Sequence, residues 1–468
     1  MNDLTVPGLR DDEQDALSEL WLQLVRTRLN NQVRTTYYEG KRAVRQLGTL
    51  VPPQYYTLGI VLGWSAKAVD MLARRCNLDT YVWADGNLRD LGMQQVWEDN
   101  HLASEFSQGM TSSLIHGPAF LITTTGGAGE PPVLIHTKDA LSATGMWSRR
   151  TRSLRSALSV VAWDDRGSDT KPIEFVLYLD GLTIQCVNDQ GVWEIERHDH
   201  QYGVPVEPLI YKPLPGRPYG YSRISKPVMS LQDRATRTAI RMEGNADVYS
   251  FPEFWMLGAD ESIFKNADGT VKDQWSVRLG RIKGIPDDDD ANNPRADVKQ
   301  FPGSSPAPHI EQFKQQAMSF SGETSIPLTS LGVSDMSNPT SADSYIASRE
   351  DLIAEAEGAT DEWAPAFKRT MLRALQMANG LPDIPSEWKT IRPKFRSPIY
   401  TSRAAAADAG AKQLGTAPWL AETEVGLELL GLEPDQIERA LAEKRRANAA
   451  GMLDRLVGAA GASGDGDG

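Results

Sequence analysis

"YGYSRISKPVMSLQDRATRTAIRMEGNADVY", residues 219–249, begins with a turn and continues as a long helical pattern with little to interrupt it. Apolar side chains recur three and four residues apart along it: Val228, Leu231, Ala235, Ala239, Met242 and Ala246. Such a thin, alanine-rich stripe predicts a helix that packs closely beside a neighbouring helix. The same stretch carries five basic residues, three of them on another face of the helix: Arg223, Lys226, Arg234, Arg237 and Arg241. A half-basic helix thus stands in a chain of formal net charge −13.

The composition sets limits on the class of protein. A chain of 468 residues is expected to form roughly two to four structural units, and 40% hydrophobic residues indicate a globular protein. The acidic balance argues against tight, non-specific DNA binding but permits a surface along which DNA passes without sticking. Cys76 and Cys186 have no CxxC neighbour and no histidine cluster at zinc-ligand spacing. Neither a disulfide framework nor a structural zinc site is therefore expected, and a reducing compartment is the simplest interpretation. No signal peptide and no membrane span are expected, because no apolar run has the required form or length.

The region before the opening stretch predicts an α+β body. Helical periodicity covers residues 11–34, 53–75 and 88–117. Short β-rich runs joined by Gly, Asp and Asn turns then fill residues 118–213. Helices followed by an antiparallel sheet indicate an α+β fold class.

The region after it changes composition several times. Residues 251–306 predict a small β-rich insertion, and a second helix follows with Ile310, Phe313, Ala317 and Phe320 on one side. A polar loop leads into a long helix over 341–379, expected to be capped by Ser341 or an adjacent residue. The remaining elements are a strand over 390–400 that returns to the sheet, alanine-rich helices over 402–449, and a small, polar C-terminal tail expected to be disordered.

Enzyme signals are weak. "HDH" (198–200) has no third metal ligand at useful spacing, so a solvated strand end is favoured. "TTGGAGEPP" (124–132) predicts a hairpin turn rather than a phosphate-binding loop. "DDDD" (287–290) is favoured as a solvated charge run over a cation site. His116 predicts a buried polar group at a helix-to-strand corner. No catalytic residue, metal site or cofactor is therefore predicted.

The order of the parts resembles the portal proteins of tailed bacteriophages, of the siphophage type. The motifs that carry the resemblance are "YYEGKR" (37–42), "AVDMLARR" (68–75), "WEDNHL" (97–102), "IHGPAF" (115–120), "YGYSRIS" (219–225) and "NPTSADSYIASRED" (338–351). The resemblance covers essentially the whole chain. It implies a ring-forming portal fold with these regions: wing 1–222 and 341–401, stem helices 223–250 and 307–325, clip 251–306, tunnel loop 326–340, crown 402–457, and a tail 458–468.

The resemblance also implies a function and partners. Twelve copies would form a ring at one capsid vertex, the channel for genome packaging and ejection. The ring would bind the large terminase and later the head–tail adaptor, and would contact the major capsid protein and the scaffold. Double-stranded DNA would pass without sequence specificity. The protein would be a non-enzymatic virion component, assembled in the host cytoplasm without a membrane.

Three groups of residues are candidate sites on this interpretation. The tunnel-loop residues expected to face DNA are Thr329, Ser330, Ser334, Asp335, Ser337 and Asn338, and the alternative is an ordinary surface loop. The basic face of the first stem helix comprises Lys226, Arg234, Arg237 and Arg241. It would lie on subunit contacts or touch passing phosphates, unless the three arginines pair with acids on an adjacent helix. The clip residues expected to contact terminase or adaptor are Asp287, Asp288, Asp289 and Asp290.

Two other functions compete with a portal. Another minor capsid or head–tail connector protein is possible, although such proteins are usually shorter and lack the helix–insertion–helix centre. A metal-dependent hydrolase or a nucleic-acid hydrolase would rest only on His198 and Asp288 and their neighbours.

Overall fold

The computed structural model describes residues 4–41, 59–164, 171–249, 254–257, 268–270, 282–285, 297–300, 305–333, 349–399 and 403–462. The chain divides into two compact units, Met1–Pro398 and Ile399–Gly468. In chain order the first unit contains α1 (Asp11–Tyr38), α2 (Trp64–Ala73), β1 (Leu78–Val82), α3 (Met93–Asp99), α4 (Leu102–His116), β2 (Pro118–Thr125), β3 (Val133–Asp139), β4 (Ala143–Ser148), β5 (Ser153–Asp164), β6 (Lys171–Leu179), β7 (Leu182–Asp189), β8 (Val192–Asp199), β9 (Val206–Ile210), α5 (Lys226–Tyr249), β10 (Phe254–Leu257), β11 (Ile282–Ile285), β12 (Asp297–Gln300), α6 (Ala307–Thr324), α7 (Glu350–Ala378) and β13 (Arg392–Phe395).

The five strands β4 to β8 form one antiparallel sheet in sequential order. Helix α1 packs its fully buried residues Leu17, Leu20 and Leu24 into the same core as Phe175 of the sheet. The helix presents one leucine stripe because these positions lie three and four residues apart. At its first turn, Glu13 accepts hydrogen bonds from Arg197 of β8 at 2.7 and 3.0 Å, which ties the helix to the edge strand.

A second core lies around α4, α7 and the three-stranded sheet β3–β2–β9. Trp363 of α7 is completely buried there, and its indole N–H donates to the hydroxyl of Ser113 of α4 at 3.2 Å. Helices and antiparallel sheets therefore share one body, which confirms the α+β fold class.

Two predicted helix boundaries in this body are wrong. The helix predicted over 53–75 begins only at Trp64, and residues 59–63 are not helical. The helix predicted over 88–117 is two helices separated at Asn100 and His101. Asn100 interrupts the helix because its side chain binds β3: it donates to the Val133 carbonyl at 3.0 Å and accepts from the Ile135 N–H at 2.6 Å. His101 turns the chain with φ of 49°.

The later elements also differ in part from the sequence prediction. The long helix α7 begins at Glu350, with Arg349 at its N-cap, rather than at Ser341. Residues 341–348 lie outside the described residues. The returning strand β13 pairs with β1 in a separate two-stranded sheet rather than with the larger sheets. In the described parts of the predicted insertion, three short strands pair, with β10 parallel to β11 and antiparallel to β12.

The second unit contains α8 (Arg403–Thr416), α9 (Glu424–Leu429) and α10 (Pro434–Ala462). Gly410 of α8 is needed for close approach, because a Cβ atom there would collide with the Leu429 carbonyl of α9. Helix α10 continues to Ala462, so the predicted start of the disordered tail at residue 458 lies inside the helix. The reason is that the alanines and leucine before that point favour a helix and no proline stops it. Within the described ranges, no helix is long and apolar enough to span a membrane.

Candidate functional site

The paired helices α5 and α6 form a small core of their own in the first unit. Val228 and Ala235 of α5 are buried beside Ala317 and Phe320 of α6, and the ring of Trp64 from α2 lies 5.1 Å from the Phe320 ring. This confirms that the helix of the opening stretch packs closely beside another helix. The predicted stripe is followed only in part, because Leu231, Ala239 and Met242 are half-buried and Ala246 is exposed.

Polar contacts that the apolar pattern did not predict join α5 to its neighbours α2 and α6. Gln232 is buried and accepts from both the N–H and the hydroxyl of Ser65 at the start of α2, at 2.7 and 2.6 Å. Gln316 of α6 donates to the hydroxyl of Thr238 of α5 at 3.0 Å. Each contact fixes the register of one helix against another, because a buried polar group without its partner is costly.

The turn before α5 is held by its glycine and serine. Gly220 has φ of +62°, and a Cβ atom there would collide with the Tyr211 carbonyl. Ser222 donates its hydroxyl to the Ile115 carbonyl at 2.5 Å and accepts from the Ile224 N–H at 2.9 Å. The turn therefore directs the next side chain, Arg223, into the interior of the body.

Buried Arg223 is the centre of a charged cluster that we call the Arg223 cluster, which also contains the buried Tyr211, the half-buried Glu355 and the exposed Lys212. The Arg223 side chain is 4% exposed and its Nη1 lies 2.5 Å from Oε2 of Glu355. Its other nitrogens donate to backbone carbonyls, Nε to Ala68 of α2 at 2.7 Å and Nη2 to Thr324 of α6 at 2.6 Å. Lys212 donates to Oε1 of Glu355 at 2.6 Å, and Tyr211 donates to the same oxygen at 2.5 Å.

The electrostatics keep the cluster charged at neutral pH. Burial by itself would raise the pKa of Glu355. The charge of Arg223 and hydrogen bonds from Arg223, Lys212 and Tyr211 outweigh it and lower that pKa to about 2. Burial raises the pKa of Tyr211 to about 12, so the phenol remains a donor. At neutral pH, Glu355 therefore remains ionised and paired with Arg223 and Lys212.

The position of the cluster matters because it joins both ends of the segment between α6 and α7. Thr324 is the last residue of α6, and its carbonyl is one that a helix end leaves without an intrahelical partner. Glu355 lies in the second turn of α7, just after the segment ends. One side chain, Arg223, thus connects the start of α5, the end of α6 and the beginning of α7.

Only the first part of the predicted tunnel loop can be located. Leu328–Leu331 form a short 3-10 helix, in which Thr329 is exposed and Ser330 is half-buried. Ile326 is buried, and its carbonyl accepts from the hydroxyl of Ser321 at 2.6 Å. The other predicted loop residues lie outside the described residues: Ser334, Asp335, Ser337 and Asn338. The predicted clip residues also lie outside them: Asp287, Asp288, Asp289 and Asp290.

The predicted basic face of α5 is present as a surface. Lys226, Arg234 and Arg241 are exposed, and Arg237 is half-buried. Among the described residues, none of these four side chains forms an ion pair. The alternative in which the arginines pair with acids on an adjacent helix is therefore not found in the described part of the chain. We call Arg234, Arg237 and Arg241 the basic stripe.

The weaker candidates behave as ordinary structural groups. His198 is exposed at the end of β8 beside Glu196, and within the described ranges no three potential ligands cluster as a metal site would need. The stretch 124–132 joins β2 to β3 as a hairpin, as predicted. His116 is buried at the end of α4, as predicted, where burial lowers its pKa to about 4.

Comparison with known proteins identifies similar chains. The family model described as "Phage portal protein, SPP1 Gp6-like" matches residues 23–450. The portal protein of Mycobacterium phage D29 is 24% identical over 451 residues, covering 92% of this chain and 88% of its own. The portal protein of Mycobacterium phage L5 is 24% identical over 446 residues, covering 91% and 87%.

Solved structures show more distant likeness. A chain from the virion of a native gene transfer agent particle is 14% identical, with a TM-score of 0.43, covering 86% of this chain and 94% of that one. A chain from the neck of the native gene transfer agent particle computed with C12 symmetry is 16% identical, with a TM-score of 0.40, covering 88% and 99%.

Proposed function

The chain belongs to the phage portal protein family, SPP1 Gp6-like, and on that premise we propose that twelve copies form a ring at one capsid vertex. The ring encloses the channel through which double-stranded DNA enters during packaging and leaves at ejection, without sequence specificity. As a portal protein it is a structural component of the virion and not an enzyme. Assembly takes place in the host cytoplasm, with the major capsid protein and scaffold as partners.

The observation that carries the channel assignment is the helix pair α5 and α6, which brackets the small β-rich insertion. We assign these helices as the stem, 223–250 and 307–325, and the insertion 251–306 as the clip. Residues 1–222 with 341–401 are the wing, and 402–457 within the second compact unit are the crown. The assignment is supported by the separate core of α5 and α6 and by its link to the body through α2.

The segment 326–340 is assigned as the tunnel loop at the narrowest point of the channel. Its support is the Arg223 cluster, which anchors the residues on both sides of the loop. We assign weak polar and water-mediated DNA contacts to Thr329, Ser330, Ser334, Asp335, Ser337 and Asn338, which suit passage without tight binding. The acidic clip run Asp287–Asp290 is assigned to contact with the large terminase and then the head–tail adaptor.

The first experiment is electron microscopy of the purified full chain with class averages of end-on views. Rings of twelve subunits with an open centre are expected. A chain that remains a single subunit even with its scaffold protein, and that lacks a wing-and-stem shape, would contradict the ring.

A second experiment tests the tunnel loop within assembled rings. Deletion of residues 330–338 is expected to lower the amount of DNA packaged per particle, because the loop no longer reaches the channel. Normal packaging by rings that carry the deletion would remove the loop assignment while leaving the ring intact.

Reversal of the charges of Asp287–Asp290 should weaken terminase binding, measured by pull-down.

A further inference from the structure

A cavity of about 300 Å³ in the wing is not used by the proposed channel. One wall is a polar stripe on the second half of α1, formed by Gln23, Thr27, Asn31 and Arg34 at spacings of four, four and three residues. The opposite wall is the turn Gly216–Gly220 that leads into α5. The cavity therefore lies where α1 meets the turn before the Arg223 cluster.

The neutral polar groups of the cavity already have partners and hold its walls. Gln23 donates to the hydroxyl of Thr144 at 3.0 Å and to the Gly145 carbonyl at 2.8 Å. Asn31 is buried and donates to the Ala140 carbonyl at 3.1 Å. These contacts join α1 to the strand and turn opposite it.

Both charged groups that line the cavity are cationic, and none of its described lining residues is acidic. Arg34 donates Nη1 to uncharged acceptors, Oδ1 of Asn31 at 2.9 Å and the His116 carbonyl at 2.8 Å. The guanidinium of Arg217 lies over the ring of Tyr221, 4.2 Å from its centre. In the described part of the chain neither arginine has an ion-pair partner. Burial, and then the like charge of Arg217, lower the pKa of Arg34.

Two arginines that line one cavity, with no acidic side chain among its described lining residues, favour an anion, since planar forks of donors match carboxylate and phosphate oxygens. The rest of the lining indicates the size and polarity of a suitable ligand. Pro118, Phe120 and Ala143 supply apolar surface, and the volume is at the lower end of small-molecule sites. A small oxyanion carried on a short apolar stem fits both features.

We propose that this cavity binds a compact oxyanion, a phosphate or a carboxylate group, held between Arg34 and Arg217. The oxyanion has two possible sources, a free small molecule and an acidic side chain of a second copy of this chain. The described lining residues all lie within 23–220, outside the segments assigned to the channel, so the proposal does not depend on the channel function.

The first experiment follows thermal unfolding of the full chain as inorganic phosphate is added, with sodium chloride at equal ionic strength as the reference. Phosphate should raise the melting temperature progressively, because a ligand that binds only the folded state stabilises it. Arg217→Gln should weaken phosphate binding about tenfold or more, since it removes one charged donor group. Arg34 is left intact because it also holds the His116 carbonyl.

The matched control is Arg150→Gln, which removes an equal charge from an exposed turn between β4 and β5. This variant should bind phosphate like the wild type. Equal weakening by Arg150→Gln and Arg217→Gln would show that only net charge matters, and the proposal would fall. Stabilisation by sodium chloride equal to that by phosphate would also overturn it.

A comparison of single subunits with assembled rings separates the two sources. A free ligand predicts phosphate stabilisation of both species. A carboxylate from a second copy predicts phosphate stabilisation of single subunits only, and rings that Arg217→Gln weakens more than Arg150→Gln does. If phosphate stabilises neither species and the two variants form equally stable rings, the cavity is not an oxyanion site.

Discussion

Two sets of arginines on the same stretch of chain have opposite surroundings. Arg223 is buried, and each of its three guanidinium nitrogens has a partner: the Glu355 carboxylate, the Ala68 carbonyl or the Thr324 carbonyl. Arg234 and Arg241, on the helix that follows, are exposed, and in the described residues they have no ion-pair partner. A buried charge is tolerated only where it is paired and hydrogen-bonded. The first arginine therefore serves the architecture of its own chain, whereas the second set is free to meet something outside it.

Removal of the Arg223 charge should produce the largest effect. Arg223→Met leaves the half-buried Glu355 with the exposed Lys212 as its remaining cation and leaves the buried Ala68 and Thr324 carbonyls without this donor, so we expect a loss of about 3–5 kcal/mol in the free energy of unfolding. Chemical denaturation of the full chain measures it. The matched control is Arg155→Gln, because Arg155 pairs with Glu19 at 2.6 Å on the surface. That exposed pair should contribute about 0–1 kcal/mol. Equal losses for the two variants would contradict this role of the Arg223 cluster.

Acidification should weaken the same cluster without any mutation. The pKa of Glu355 is lowered from 4.5 to about 2 in the folded chain. Its stabilisation is therefore fully present above about pH 5 and is lost as the pH falls toward about 2, by up to about 3 kcal/mol. Urea denaturation at several pH values should show a smaller loss in Glu355→Gln. Burial lowers the pKa of His116 from 6.5 to about 4, so protonation of this histidine also reduces the free energy of unfolding, but between about pH 6.5 and pH 4. This effect should be the same in both proteins. Parallel curves would show that Glu355 is not the group involved.

A conservative change should separate the fork geometry from the charge. Arg223→Lys keeps the cation but cannot reach Glu355 and both carbonyls together, so we expect a loss of about 2 kcal/mol, the contribution of one or two charged hydrogen bonds. If the cluster positions the tunnel loop, this variant should also package less DNA per particle. In a chain that already lacks residues 330–338, adding Arg223→Lys should then cause no further loss of packaged DNA. An additional defect in the deletion background would show that Arg223 does not act through the loop.

The sequence predicted one side of this comparison better than the other. The helix α5 and its basic stripe follow from local spacing, because residues three and four apart share a face whatever lies beyond the helix. Arg223 was grouped with the basic residues because spacing cannot show that residues 68, 211, 324 and 355 meet at one point. The available signal was the Gly220 and Ser222 turn immediately before it, which redirects the chain. The break at Asn100 was missed for the same reason, since its partners lie on β3.

Loss of the basic stripe should have the smallest effect on the single chain and an effect visible only beyond it. Arg234→Gln with Arg241→Gln should change the free energy of unfolding by about 0.5 kcal/mol or less per site, the usual result for exposed positions. The matched control is Arg149→Gln with Arg150→Gln, an equal loss of exposed charge in the turn between β4 and β5. If the stripe contacts a neighbouring copy, fewer rings should form, and added salt should reduce the difference from the wild type.

Contact with passing phosphates predicts the other pattern: rings form normally, while the amount or rate of DNA packaging changes relative to the control pair. Ring counts by electron microscopy and DNA content per particle distinguish these outcomes in one preparation. If both pairs of substitutions leave assembly and packaging unchanged, the stripe is only a solvated helix face. Exposure would then say nothing about function here. The contrast with Arg223 would reduce to one between a charge that the fold needs and charges that it merely tolerates.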